Sequence, residues 1–116
     1  MNEKILKWLF DIQAAIDEIE SFFKNYSQDF NLYISNLILK RAVERDLEII
    51  GEEVNRIIKQ DENFPIENAK RIIGLRNQII HAYDNISDES IWAILVKYIP
   101  LLKMEINNLI ESKDNF

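Results

Sequence analysis

The chain has 116 residues, 47% of them hydrophobic and 29% charged, with a formal net charge of −6. That length serves one core, and the balance argues against a disordered segment and against a membrane protein. Two glycines and two prolines are too few turn formers for a β-sandwich or barrel, so one all-α domain over residues 1–116 is expected.

Ile5, Leu9, Ile12, Ile16, Ile19 and Phe23 recur at alternating steps of four and three, the seam of a first amphipathic helix. Asp11, Asp17, Glu18 and Glu20 interrupt it. The segment therefore reads as neither a signal peptide nor a transmembrane span, and a soluble cytoplasmic chain is expected. Trp8, Phe10, Phe22, Phe23, Tyr26 and Phe30 lie on or just after this helix among acidic neighbours. That setting fits core or dimer contacts better than a platform for stacking nucleic-acid bases.

Leu39, Val43, Leu47, Ile50, Val54 and Ile57 predict a second helix that starts near Asn31. Asp61-Glu-Asn-Phe-Pro65 breaks the period, with Pro65 suited to a first helical turn. A third helix is expected from about Ile66 to Tyr83, ended by Asp84-Asn-Ile-Ser87. Ser87 is a good N-cap, and Asp88 and Glu89 suit the positive end of the helix dipole behind it. The fourth helix carries Ile91, Leu95, Tyr98, Leu102, Ile106 and Leu109, with a kink at Pro100. Residues 111–116 read as a frayed end. Short connections between four helices make an antiparallel four-helix bundle, with room for an extra short helix.

Gly51 and Gly74 both fall inside helical patterns, where each costs about 1 kcal/mol of helix propensity relative to Ala. Close helix–helix contact and backbone clearance beside a site both account for such positions.

Zero cysteines remove disulfides, thiolate metal sites and thiol nucleophiles. One histidine, His81, excludes a multi-His metal site, so no metal and no cofactor are expected. A serine triad around His81 would lack any nucleophile elbow. The acidic balance argues against a generic nucleic-acid coat protein, although Lys40, Arg41 and Arg45 with Lys70, Arg71 and Arg76 form a possible local basic strip.

One segment, Gly74-Leu-Arg-Asn-Gln-Ile-Ile-His-Ala-Tyr83, is not explained by patterning. At about 100° per residue, Arg76 falls amid the stripe of Ile72, Ile73, Ile79 and Ile80, and Tyr83 falls on the same face. Asn77 and His81, i and i+4, flank that face. The helical offset between Arg76 and His81 is about 140°, so a cleft between helices or subunits is needed to bring them together. An unpaired buried guanidinium is costly, so Arg76 needs a partner or a wet cleft. These residue types suit metal-free phosphodiester chemistry: imidazole moves a proton, Arg stabilises charge on phosphorus, and Asn and Tyr orient phosphate or base. The plain structural reading is that Asn77 caps His81, Arg76 pairs with a nearby Glu, and Tyr83 is core.

The run Arg76-Asn-Gln-Ile-Ile-His81-Ala-Tyr83 resembles the signature of HEPN domains, in the R-x4-H-x-Y form of HepT-like toxins. Glu48-Ile-Ile-Gly-Glu52, Gly74-Leu-Arg76, Ser87 before Ile91-Trp92, and Ile99-Pro-Leu-Leu-Lys103 resemble stretches of that family in the same order. The resemblance implies a homodimeric helical bundle and a metal-independent endoribonuclease that cleaves RNA by 2′-hydroxyl attack. It makes Arg76 and His81 the catalytic pair and Asn77 a supporting residue. It also implies a type VII-like toxin–antitoxin pairing, in which a small MntA-like nucleotidyltransferase antitoxin attaches AMP to Tyr83. Glu52-Glu53 departs from the usual Glu-Ala, which leaves open which carboxylate faces the cleft. The alternative is a non-catalytic, nucleotide-binding partner subunit of a nucleotidyltransferase; a plain helical dimer without a small-molecule site is a third reading.

Overall fold

A computed structural model describes residues 2–24, 29–81 and 86–113. In chain order these form α1 (Glu3–Phe22), α2 (Phe30–Ser35), α3 (Leu37–Gln60), α4 (Ala69–His81), α5 (Asp88–Lys97) and α6 (Ile99–Glu111). The expected four-helix bundle is present: α1, α3, α4 and the broken α5–α6 pair are its long members, and α2 is the extra short helix.

α1 starts at Asn2, whose Oδ1 accepts hydrogen bonds from the Lys4 and Ile5 amides at 2.8 and 3.3 Å, two donors the helix itself leaves free. Its buried seam is Ile5, Leu9, Ile12, Ala15, Ile16 and Ile19. That seam packs on α3, and a second face of α1 meets α6, where Lys103 pairs with Glu20 at 2.8 Å and Gln13 donates to Asn107 at 3.0 Å.

The expected second helix is two. Asn36 adopts an extended conformation (φ −113°, ψ 99°), and its side chain accepts from the Leu39 amide at 3.1 Å. An Asn that caps a new helix competes with continuation of the old one, so the chain turns there. α2 is held by its aromatic residues: Tyr33 is fully buried, and Tyr33, Phe30 and Phe23 all pack on Trp92 of α5, with ring centroids 5.3, 5.7 and 6.1 Å away. The aromatic residues around α1 are thus largely internal, as expected. Phe10 is the exception, 41% exposed beneath the Lys113 ammonium; Tyr26 lies outside the described residues.

α4 begins at Ala69, three residues later than the pattern suggests, and Pro65 sits in the connection instead of a first helical turn. The reason is anchoring. Ile66 is buried, its amide bonds to the Phe64 carbonyl at 2.8 Å, and the Glu67 amide is taken by the Glu105 carboxylate of α6 at 2.9 Å. These bonds hold the backbone outside the helix until Ala69. The far end of the expected helix, with Tyr83, lies outside the described residues.

Ser87 caps α5 as expected, accepting from the Ser90 amide at 3.1 Å, with Asp88 and Glu89 in the first turn. Pro100 lies in the first turn of α6, and the interruption falls at Tyr98 (φ −101°, ψ −31°). Pro has no amide hydrogen to offer the turn before it, so the helix is interrupted there and resumes as α6. No helix among the described residues is long and apolar enough to cross a membrane.

The two glycines have different explanations. A Cβ on Gly51 would run into Cβ of Arg76, lie 2.9 Å from its Cγ and 3.1 Å from the Ile72 carbonyl oxygen. Gly51 is therefore a point of close approach between α3 and α4, and it is also clearance for Arg76; the two sequence readings are one fact. A Cβ on Gly74 would meet nothing within 4 Å. Gly74→Ala should therefore raise the stability of the free chain by about 1 kcal/mol, the helix-propensity difference, measured by urea unfolding. Loss of stability in that experiment would mean that a second chain covers the position.

Candidate active site

Arg76 reaches its place because of what lies on either side of it. Ile72, Leu75 and Ile79 bury one face of α4 against α3. On the other flank Ile73 is only partly buried and Ile80 is 42% exposed. The buried stripe is thus rotated toward Leu75, and Arg76 stands at its edge, not at its centre as the helical wheel predicts. Its stem lies over Gly51, its Nε is buried without a hydrogen-bond partner, and its Nη1 donates to Asn77 Oδ1 at 3.0 Å. The side chain is half-buried. Neither plain reading of these polar residues holds: Arg76 pairs with an amide and not a glutamate, and the Asn77 oxygen serves Arg76 and not His81.

Asn77 and His81 are exposed, one helical turn apart on the same side of α4. Among the described residues His81 makes no hydrogen bond or ion pair, so its imidazole is available to solvent or substrate. The arrangement is a cation held at the seam of two helices, an amide that orients it, and an open imidazole one turn along. An unsatisfied buried Nε is a costly feature that an incoming acceptor would relieve.

The basic strip does not assemble as the sequence suggests. Lys40 pairs with Asp88 at 2.7 Å, Arg41 with Glu44 at 3.2 Å and Arg45 with Glu48 at 3.2 Å, while Arg71 lies over the Tyr98 ring, 5.1 Å from its centroid. The Gly51–Arg76 and Lys40–Asp88 contacts set an antiparallel register that brings the Arg45 turn of α3 alongside the His81 end of α4. Positive charge is therefore near the site, but much of it is already paired.

The question of Glu52 and Glu53 is resolved toward the opposite side of α3. Both bind Arg56, at 2.8 and 2.9 Å, and both line a groove between α1 and α3. Glu53 is buried there, as is Asp46. Burial pushes the Glu53 carboxyl up to about 7, helped by the Asp11 carboxyl it faces and opposed by Arg56. Burial likewise lifts Asp46 to about 7, helped by Glu18 and opposed by Arg45. Such groups stay protonated in the folded chain where the unfolded chain has lost the proton. Stability is therefore highest below about pH 4 on their account, falls as pH rises through about 7, and is level above. The melting temperature at about pH 8 should lie at least about 5 °C below that at about pH 5. Asp46→Asn should remove much of that fall, because its amide does not ionise and can donate to Glu18.

The site is thus an arginine at a helix seam and an exposed histidine five residues further along the same helix of an all-helical bundle. The chain belongs to the HepT-like family, whose model, described as ribonuclease HepT-like, matches residues 12–109. Among curated relatives, a Methanocaldococcus jannaschii protein named "Putative RNase MJ1380" is 38% identical over 109 residues, covering 91% of this chain and 97% of that protein. A second from the same organism, "Putative RNase MJ1216", is 35% identical over 114 residues, covering 95% and 93%. A Thermococcus cleftensis protein named "Probable ribonuclease HepT" is 31% identical over 103 residues, covering 88% and 92%. No solved structure gives a significant match.

Proposed function

We propose that this chain is a metal-independent endoribonuclease and the toxin of a toxin–antitoxin pair. The observation that carries the reading is Arg76: its stem is fixed over Gly51, its outer nitrogen is oriented by Asn77, and its Nε waits for an acceptor. The names of the relatives and the family agree with it. His81 takes the proton from a ribose 2′-hydroxyl, the 2′-oxygen bonds to phosphorus, and Arg76 stabilises the added charge. The bond to the 5′-oxygen then breaks, leaving a 2′,3′-cyclic phosphate and a 5′-hydroxyl that receives a proton.

The active form is a homodimer, in which two signature segments share a cleft; Ile80, apolar, exposed and beside Arg76 on α4, supports a covering chain there. An MntA-like nucleotidyltransferase antitoxin neutralises the toxin by attaching AMP to Tyr83, two residues past His81, where a bulky anion blocks access. The test is incubation of RNA with the purified chain in EDTA and analysis of the ends. Cyclic phosphate and 5′-hydroxyl ends support the reading. Absence of cleavage with retained ATP or mononucleotide binding favours the non-catalytic partner subunit.

A further inference from the structure

α4 packs mainly on α3, which leaves an open groove of about 270 Å³ between α4 and α5. Leu75 and Ile94 give it apolar walls, and Gly74 is part of its lining. Arg71 stands at one end, over the Tyr98 ring; Gln78 and Ser90 line the other.

Two observations point to an occupant from outside the protomer. A Cβ on Gly74 would meet nothing within 4 Å, so no neighbour requires the glycine. The helix nevertheless forgoes about 1 kcal/mol of propensity to keep that space open, whereas Gly51 is demanded by Arg76 and Ile72. The second observation is that the polar groups of the lining have bonding capacity left. Among the described residues Gln78 makes no hydrogen bond, so its amide offers donors and an acceptor side by side. The Ser90 hydroxyl accepts from Ser87 at 2.8 Å, which leaves its own hydrogen to donate. Arg71 has no carboxylate partner among the described residues, and no acid lines the groove.

Position ties the groove to the site. At about 100° per residue, Gly74, Gln78 and Arg71 fall about 160–220° around α4 from Arg76, and His81 falls at about 140°. Gln78 and His81, three residues apart, are neighbours on the helix surface, so the groove opens beside the imidazole. Ile80 falls at about 40°, so a dimer formed over it leaves the groove free. The lining suits a single-stranded base: apolar walls for the ring faces, an amide and a hydroxyl for the edge, and a cation for the backbone. Its volume equals roughly nine waters, space for one base without its sugar. We propose that the groove takes the base of the nucleotide on the 5′ side of the cleaved bond, and that Gln78 reads its edge. The ribose of that nucleotide must stand at His81, which takes its 2′-hydroxyl proton; the assignment thus rests on the ribonuclease reading. Arg71, about 10 Å along α4 from Gln78, pairs with a phosphate further toward the 5′ end.

The test measures binding of the full chain to short 2′-O-methyl oligonucleotides that differ only in one central base, by fluorescence anisotropy. These probes lack the attacking hydroxyl, so binding is read without cleavage. Wild type should favour one base over the weakest by about tenfold, the low end of what a two-point contact discriminates. Gln78→Ala should bring all four within about twofold and leave the weakest unchanged. Gly74→Leu, which fills the groove, should weaken every base by about tenfold. Arg71→Gln should weaken all four alike and lower the log–log salt slope by about 0.7. In cleavable RNA the favoured base should carry the cyclic phosphate, and Gln78→Ala should erase that preference. Cleavage with a base preference unchanged in Gln78→Ala and Gly74→Leu overturns the subsite and leaves the ribonuclease reading standing. Base-selective binding lost in Gln78→Ala, without cleavage of any RNA, supports the base site and overturns the ribonuclease reading. A Gly74→Leu chain that changes its sedimentation and not its RNA affinity makes the groove a contact between chains, which also overturns the subsite. Gln78→Ala, an exposed substitution, keeps the test valid if Gly74→Leu fails to fold.

Discussion

His81→Ala should lower the rate of RNA cleavage by about 10²–10⁴-fold, the usual worth of a positioned proton-transfer group, while leaving the fold intact. The second half of that expectation follows from position. His81 is exposed and bonded to nothing among the described residues, so its loss opens no cavity and orphans no partner. Circular dichroism and the melting temperature should therefore match wild type within the scatter of surface substitutions, about 0.5 kcal/mol. Arg76→Lys separates charge from shape at the other half of the pair. A lysine keeps the positive charge but not the planar fork or the Nε–H, so activity should fall by about 10²–10³-fold. Full activity in either variant removes the catalytic assignment. A cleaving wild type with inactive variants fixes it on these two side chains.

Gly51→Ala should destabilise the chain and disable the site together. Two effects of opposite sign compete. Alanine adds about 1 kcal/mol of helix propensity, but its methyl group must enter space held by the Arg76 stem and the Ile72 carbonyl. Overpacking of that kind costs about 1–3 kcal/mol, occasionally more. The obstacle includes backbone and the first carbon of a side chain, which cannot swing aside, so the clash wins. α4 must back away from α3, and Arg76 moves with it. The expected result is a net loss of about 1–2 kcal/mol in urea unfolding and a cleavage rate reduced as in Arg76→Lys. Gly74→Ala is the internal control: the same substitution on the neighbouring helix, where a Cβ has open space, should stabilise.

The fold was largely legible, because periodicity reports burial directly. The seams of α1 and α3 are the buried residues, and Ser87 caps where a serine before two acids should. Boundaries were less legible where tertiary contacts override local preference. Asn36 splits a continuous apolar pattern by capping, and Glu105, thirty-eight residues downstream of Glu67, delays the start of α4. At the site, the motif located Arg76, Asn77 and His81, but a helical wheel could not give the rotation of α4, which depends on where Gly51 lets it lean. The acidic groove was missed altogether. Its signal was present: Asp46 and Glu53 share the stripe of Ile50 and Ile57, and a carboxylate inside an apolar seam needs an explanation just as Arg76 did. The sequence left open which of the two adjacent glutamates turns inward, and only the packing of α1 shows that Glu53 is internal.

Among the described residues the main neighbour of α4 is α3, whereas α1 is held by both α3 and α6. The helix that carries Arg76 and His81 is thus held to the bundle mainly through a single partner helix. The stability of the site against local opening is therefore the stability of the α3–α4 seam at Gly51.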